Sequence, residues 1–368
     1  DFNGRLDNSN GETNVKSDTA RIDAKFDLAG FSNAITSHMV ATDTNTQAGF
    51  SSLSKGARHG INWVTKKVIG GNTISFLTEA EHESYSILPN FTEADAEPEI
   101  WSYALAGDYV HSSGPMTITA SGRHDINDFF KNVTTWRVGA GYKLDEINGR
   151  FRASIGSGIK NPSLIELFGF YPTSGFSGNE DLKPENSLGF NIGYEHKIAN
   201  LQLSIDYFRS ELKNEISTIF APDFTSTVIN LGSKSIRQGV EFDAQWDISE
   251  KLKVKSSATF QKSKQNDLEE IRRPKFTAST SITYIPNDDI LISTSLDHNG
   301  SQLDTDFSTF QNVKLDAFTL VGVNASYRVN DNFKFTLRGD NLLNEDYQEV
   351  VGYFSQGRKL YAGFQTSF

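Results

Sequence analysis

Polar and apolar residues alternate along most of this chain. In 21–28, Ile22, Ala24, Phe26 and Leu28 alternate with Arg21, Asp23, Lys25 and Asp27. In 251–261, Leu252, Val254, Ala258 and Phe260 alternate with Lys251, Lys253, Lys255, Thr259 and Gln261. Phe242, Ala244 and Trp246 oppose Glu241, Asp243 and Gln245, and Phe333, Phe335 and Leu337 oppose Lys334, Thr336, Arg338 and Asp340. At the C-terminus Leu360, Ala362, Phe364, Thr366 and Phe368 share one face, and Lys359, Tyr361, Gly363, Gln365 and Ser367 the other. Side chains on a strand change face with period two, so each such strand has one apolar and one wet face. No long segment shows a period of 3.6. The pattern predicts an all-β chain of about 17 strands: 17–28, 31–43, 57–68, 72–84, 99–111, 115–126, 131–144, 149–160, 185–198, 200–219, 224–248, 250–265, 274–286, 289–299, 314–328, 331–342 and 357–368.

The connections alternate in length. Ala29-Gly30, Gly70-Gly71, Ser112–Gly114, Asp145–Asn148, Ala199, Ser249, Pro286–Asp288 and Asn330 are short, whereas 44–56, 85–98, 161–184, 300–313 and 343–356 are long. A transmembrane antiparallel up-and-down β-barrel places tight turns at one rim and long loops at the other, and a soluble sandwich has no reason to do so. Short connections at 127–130, 220–223 and 266–273 on the long side weaken this regularity. With the long loops outside, Phe368 falls at the inner rim and residues 1–16 in an external loop. The polar start at Asp1-Phe2-Asn3 reads as the cut end of a longer secreted precursor.

Composition narrows the class further. The formal charge of −11 argues against a nucleic-acid partner. A hydrophobic fraction of 37% and a mean hydropathy of −0.43 suit a soluble protein, and equally a membrane barrel in which only every second strand residue is apolar. Without cysteine there is neither a disulfide scaffold nor a thiolate metal site. No apolar run is long enough for a membrane helix. Charges on the wet faces would be costly in a packed interior and suit a hydrated lumen. The 27 Phe and 12 Tyr, many near strand ends, suit aromatic girdles, although cross-strand aromatic pairs explain some of them.

Four motifs resemble the TonB-dependent outer-membrane receptors of Gram-negative bacteria, most closely the branch of vitamin B12 (cobalamin) and catecholate-siderophore receptors. They are Ala153–Ser163 (ASIGSGIKNPS) with Leu164, Glu166 and Leu167; Asn179–Ser187 (NEDLKPENS); Asn230-Leu231-Gly232 with Lys234-Ser235 and Gly239-Val240-Glu241; and Asn341–Tyr347 (NLLNEDY) with Gly352-Tyr353 and Gly357-Arg358. Each also has a local meaning. Gly156 and Gly158 relieve a crowded wall, and Pro162 ends a strand. Pro184 sits where a strand restarts. Gly232 and Gly239, inside a predicted 25-residue strand, suggest a bulge. The motifs cover roughly 99–368, and 1–98 fit by strand pattern alone. The family barrel has about 22 strands and a plugged lumen, so the resemblance implies a C-terminal barrel fragment, a single domain over 1–368, with about five strands, the plug and the TonB-contact segment missing. The fragment is expected to leave two unpaired edges.

The resemblance implies active, TonB-driven import of a scarce large nutrient through the outer membrane. Its partners would be the TonB complex acting through the plug, outer-membrane lipid and lipopolysaccharide, and the barrel-assembly machinery, which would recognise Phe368. Cobalamin is the leading substrate, a ferric siderophore the alternative, and haem the third. A passive porin and a soluble all-β binding protein compete. No catalytic set emerges: the seven histidines are scattered, and Gly156-Ser157-Gly158 lies in a strand rather than between strand and helix. Candidate ligand contacts are external-loop rings, Phe168, Phe170, Tyr171, Phe176, Phe307, Phe310, Tyr353 and Phe354; loop-to-loop packing or anchoring at the lipid interface explains each at least as well. Asp304 and Asp306, and Glu93, Asp95 and Glu97, are weak calcium candidates, because no Gly-centred calcium loop surrounds them.

Overall fold

A computed structural model of the chain describes residues 12–47, 52–89, 97–171, 175–223, 225–306, 308–353 and 355–367. Eight strands follow one another as a meander: β1 (Glu12–Leu28), β2 (Phe31–Gln47), β3 (Ser52–Ile69), β4 (Asn72–Pro89), β5 (Glu99–Ser113), β6 (Met116–Asn127), β7 (Val133–Leu144) and β8 (Gly149–Lys160). The loop after β8 holds a short helix, α1 (Leu164–Phe168), and two-residue strands β9 (Phe170–Tyr171) and β10 (Phe176–Ser177). The wall resumes with β11 (Glu185–Ile198) and β12 (Leu201–Lys213), and a loop hairpin, β13 (Ile216–Phe220) and β14 (Ser226–Asn230), follows. Next come β15 (Ser235–Ser249), β16 (Leu252–Gln265), the loop strand β17 (Leu268–Glu269), β18 (Phe276–Asn287) and β19 (Ile290–Asn299). A second loop hairpin, β20 (Gln302–Asp306) and β21 (Gln311–Leu315), precedes β22 (Phe318–Asn330), β23 (Phe333–Asp340) and β24 (Lys359–Thr366).

Seventeen of these strands form one antiparallel ladder, β1 to β8, then β11, β12, β15, β16, β18, β19, β22, β23 and β24, in the number and order that the alternation predicts. Among the described residues β1 pairs only with β2, and β24 only with β23, so the ladder has two edges.

The pairing registers decide what the alternation means. Ile61 faces Ala80 and Ala80 faces Tyr103. Tyr142 faces Phe151, which faces Tyr194, and Tyr327 faces Phe335, which faces Phe364. Apolar side chains therefore meet apolar side chains from strand to strand and make one continuous surface. Among the described residues little packs on that surface: Leu105 is 58% exposed, Ile192 55% and Leu337 59%. Buried hydrophobic residues among those described are few and lie mostly at the loop end, in a cluster of Ile100, Leu164, Leu167, Leu182 and Val228. A chain of this size that left so large an apolar face bare in water would aggregate; bilayer hydrocarbon covers such a face, while charged side chains line the hollow. Among the described residues no helix is long and apolar enough to cross a membrane, so crossing rests on the strands.

Aromatic side chains mark one rim. Tyr109, Tyr142, Phe151, Tyr194, Trp246, Tyr284, Tyr327 and Phe335 all stand on the apolar face within a few residues of a tight turn. The rings of Phe151 and Tyr194 lie 4.7 Å apart, centre to centre. This is the position of an interfacial girdle. The turns themselves are tight because the chain enters left-handed conformation there, as at Ala29 (φ 50°) and Gly30 (φ 76°).

Two expected strands are divided. The stretch 200–219 breaks at Asn214, whose φ is 56°, and 224–248 breaks at 231–234, so β13 and β14 stand in the loop rather than in the wall. The turn at 220–223 is thus the tip of a loop hairpin, and the true connection from β12 to β15 is 214–234, one of the long ones. The alternation of short turns and long loops gains by this correction. No bulge occurs at Gly232 or Gly239; the register shift of β15 falls between Asp247 and Ser249, at the turn. Gly239 serves a different purpose: a Cβ there would stand 2.4 Å from the Phe260 carbonyl oxygen and 2.8 Å from the Phe208 ring.

Candidate functional site

The hollow enclosed by the wet faces is charged. A cavity of about 720 Å3 is lined by Asp108, Arg137, Arg150, Arg152, Asp206 and Asp243, among others. Arg152 Nη2 lies 2.5 Å from Asp206 Oδ2, and Arg152 Nε lies 3.1 Å from Glu195 Oε1. Nearer the loop end Arg123 bridges Glu79 at 2.7 Å and Asp125 at 2.8 Å, and Arg58 bridges Glu81 and Glu83. These pairs are partly exposed, so each contributes only about 0–1 kcal/mol. Their effect is to keep the lumen hydrated and its wall oriented.

The sequence motifs converge at the loop end, where they build a platform. Pro162 ends β8, and Ser163 then caps α1. The Glu166 N–H donates to Ser163 Oγ at 3.2 Å and the Ser163 N–H to Glu166 Oε2 at 2.7 Å, a reciprocal capping box. The helix turns Leu164 and Leu167 into the buried cluster. Ser-x-x-Glu at 163–166, with leucine at 164 and 167, is the signal that the strand pattern passed over. From the second motif, the Asn179 N–H donates to the Glu166 carbonyl at 2.8 Å and Asn179 Nδ2 to the Val228 carbonyl at 2.9 Å. From the third, Asn230 Oδ1 accepts the Lys183 N–H at 2.7 Å, and its Nδ2 donates to the Lys183 and Asn214 carbonyls, each at 2.8 Å. Three stretches far apart in sequence thus form one clasp around Leu167 and Leu182.

The same clasp is drawn inward by Glu215. Its carboxylate accepts Arg237 Nη2 at 2.7 Å, Gln265 Nε2 at 3.1 Å and the hydroxyl of fully buried Ser235. Burial opposes ionisation there, but the Ser235 hydroxyl and the Arg237 charge outweigh it and hold the Glu215 carboxyl below the usual carboxylate range.

The remaining loops interlock around Asp304. Its carboxylate accepts Arg272 Nε, the Thr305 N–H and the Val351 N–H, all at 2.8 Å. The fourth motif closes the last loop on itself: Asn341 Oδ1 accepts the Glu345 N–H at 2.8 Å, and Asn344 Oδ1 accepts the Arg358 N–H at 3.0 Å. Tyr347 packs on Phe318 with ring centres 4.2 Å apart.

The candidate rings separate into two groups. Phe168 and Phe176 pack against the buried cluster, and the Phe168 ring meets Phe129 edge-on at 5.3 Å. Tyr171 shares a hydrogen bond of 2.7 Å with the Tyr85 hydroxyl. Phe170, Phe310 and Tyr353 are 45%, 55% and 48% exposed at the loop end, and Phe170 lines a cavity of about 460 Å3 together with Ile219 and Phe220. Phe307, Phe354 and Phe368, with Glu93 and Asp95, lie outside the described residues. Asp304 and Asp306, the calcium candidates, both accept hydrogen bonds from the protein. Asp304 is spent on three donors, and Asp306 Oδ1 accepts the Ser308 hydroxyl and N–H at 2.7 and 2.8 Å, which hold its carboxyl below the usual range. Among the described residues no three His, Cys, Asp or Glu side chains converge as a metal site.

A family model described as TonB dependent receptor-like, beta-barrel matches residues 1–342. Among solved structures, the chain resembles a ferric enterobactin receptor of Pseudomonas aeruginosa, with 16% identity and a TM-score of 0.80 over 97% of this chain and 62% of that one. It resembles the siderophore receptor PirA of Acinetobacter baumannii with 14% identity and a TM-score of 0.80, over 97% and 63% of the two chains. The copper transporter OprC gives 15% identity and a TM-score of 0.81, over 98% and 66%. At such identities the likeness is one of fold. The chain spans less than two thirds of the length of each of these structures.

Proposed function

The chain belongs to the TonB-dependent receptor β-barrel family, and on that footing we propose that it forms the wall and outer loops of a receptor importing a ferric siderophore. The family's barrels lie in the outer membrane of Gram-negative bacteria, and this one has the apolar outer face that such a membrane requires. The observation that carries the proposal is the family match over 1–342 on a wall whose registers put every apolar face outward and whose hollow is charged. Energy would come from TonB through a plug seated in that hollow. No covalent step is involved.

The motifs alone favour cobalamin. The solved structures reverse that order: two of the three above are described as receptors for enterobactin or siderophores. Cobalamin becomes the second reading. The exposed rings Phe170, Phe310 and Tyr353 are the proposed ligand contacts, since catechol rings stack on such faces. Phe168, Tyr171 and Phe176 would hold the platform that presents them. Titrating the full-length protein with a ferric tris-catecholate and with cobalamin, followed by tryptophan fluorescence, tests the substrate. Tight binding of cobalamin alone overturns the siderophore reading.

A further inference from the structure

The loop hairpin of β13 and β14 has an open side. β13 is an edge strand of a four-stranded loop sheet in the order β13-β14-β10-β9, and among the described residues it pairs only with β14. The Leu231 N–H donates to the Glu215 carbonyl and the Ala221 N–H to the Thr225 carbonyl, each at 2.8 Å. In an antiparallel ladder such bonding residues alternate, so 215, 217, 219 and 221 turn their backbone groups toward β14. Ile216, Thr218 and Phe220 turn theirs away. The Ile216 N–H is taken by Glu185 Oε1 at 3.0 Å. The Ile216 carbonyl, and the N–H and carbonyl of both Thr218 and Phe220, have no partner among the described residues. Thr218 and Phe220 are exposed.

Nothing in the local sequence guards this edge. Folded chains blunt free edges with charges, proline or bulges. Residues 216–221 read ISTIFA, uncharged and rich in residues that favour strands. The register with β14 runs through without a shift. The other loop hairpin differs, since β20 carries Asp304 and Asp306, and β21 carries Lys314.

An uncharged hollow and an acid flank the edge. Ile219 and Phe220 line the cavity of about 460 Å3 together with Phe170 and Phe176, and no charged side chain lines it. Past the end of the strand, Asp223 Oδ1 accepts the Thr225 hydroxyl at 2.7 Å and the Thr225 N–H at 3.1 Å. These bonds hold the Asp223 carboxyl below the usual carboxylate range. No Lys or Arg among the described residues pairs with this exposed acid.

From these features we infer that the β13 edge binds a short linear peptide as an added strand, antiparallel to β13, with the peptide's N-terminal amine at Asp223. Strand addition draws its affinity from main-chain hydrogen bonds and its selectivity from pockets for alternate side chains. The free groups run from Ile216 to Phe220, a length that a peptide of about five or six residues matches. An antiparallel peptide sets its first residues opposite Phe220, nearest Asp223. A parallel one would bring its carboxylate there, against a like charge. Apolar side chains of the peptide would enter the cavity beside Ile219 and Phe220. The site stands on the hairpin alone and needs no siderophore at Phe170.

The test uses the full-length protein in detergent micelles. The probe is the amidated hexapeptide Val-Thr-Val-Thr-Val-Lys, with a free N-terminus and a fluorophore on its lysine, read by anisotropy and by residue-level hydrogen exchange. Saturating peptide should slow exchange of the Thr218 and Phe220 amides by about 10-fold or more and leave those of Ser217 and Ile219, already bonded to β14, unchanged. Thr218→Pro removes an N–H that β14 does not use. It should weaken binding by about 10-fold or more, while protected Ser217 and Ile219 amides report an intact hairpin. Asp223→Asn should weaken binding of the free-amine peptide by about 3-fold and leave that of its N-acetylated form unchanged.

Absence of binding to the wild type overturns the site, as does equal binding by Thr218→Pro or of a fully N-methylated peptide. Dimerisation with slowed Thr218 and Phe220 amides in the absence of peptide would give the edge to a second copy. Slowing of the same amides by a ferric tris-catecholate would give it to the siderophore. Either result overturns the peptide site. The two ligands also separate this site from the transport reading. If the catecholate binds and the peptide does not, only the strand site falls; if the peptide alone binds, the siderophore reading falls and the edge stands.

Discussion

Asp304, wholly shielded from solvent, lies 2.8 Å from Arg272 Nε and ties the hairpin at 302–315 to the loop after β17. The same carboxylate accepts the Val351 N–H, so three loops from separate parts of the chain share one buried anion. Asp304→Ala should therefore free the last loop without melting the wall. Loss of a buried acceptor of this kind costs about 1–3 kcal/mol, so hydrogen exchange at the Val351 amide should quicken by roughly 10- to 100-fold. Unchanged protection at Val351 would show that the loops are held by other contacts.

The capping box of α1 should control the first platform in the same way. Ser163→Ala removes the acceptor for the Glu166 N–H, at a cost of about 1 kcal/mol. Leu167→Ala empties a fully buried site and costs about 2–5 kcal/mol. Limited proteolysis within 161–184 should be faster in both variants, and fastest in Leu167→Ala, with strand content by circular dichroism unchanged.

The Glu215 clasp gives the platform a pH dependence. Its carboxyl titrates below its unfolded value, which is about 4.3. A group depressed by folding stabilises the native state above the unfolded pKa, and that contribution is lost as pH falls through the folded one. Protection of the Leu231 amide, which donates to the Glu215 carbonyl at 2.8 Å, should hold from pH 7 to about 5 and decline below about pH 4. In Glu215→Gln this carboxylate-dependent step should disappear.

The two faces of the wall should differ sharply in what they tolerate. Val138 is exposed on the apolar face between Trp136 and Tyr142. Val138→Lys should cost about 2–4 kcal/mol in lipid, read by urea titration of the protein folded in vesicles. Arg137→Gln, one residue along and facing the cavity, should cost less than about 1 kcal/mol. Equal effects at the two positions would contradict the assignment of faces.

Exposed and packed loop rings should separate binding from stability. Phe170→Ala should weaken binding of a ferric tris-catecholate by roughly 3- to 10-fold, from the loss of one stacking contact worth about 0.5–1.5 kcal/mol, and leave loop proteolysis unchanged. Phe168→Ala, which removes a ring packed on Phe129, should quicken loop proteolysis first. The reverse pattern would exchange their roles.

The alternation of residues such as Phe242, Glu241 and Asp243 was enough to determine the seventeen wall strands, their order and their two faces, though not where 200–219 and 224–248 leave the wall, because period two is a local property of extended chain. The length of the connections placed most of the loops at one end for the same local reason. What alternation could not show was which face meets lipid: a strand with one wet side serves a soluble sheet equally well. That was decided by the cross-strand registers and by how little of the described chain packs on Leu105 or Ile192. The loop platform was also beyond sequence. Asn179 and Asn230 stand out in the sequence as motif residues and Asp304 as an acidic candidate, but nothing local shows that their partners lie 47 to 49 positions away. Only folding brings them together, since a buried amide or carboxylate must find its donors wherever the tertiary structure supplies them.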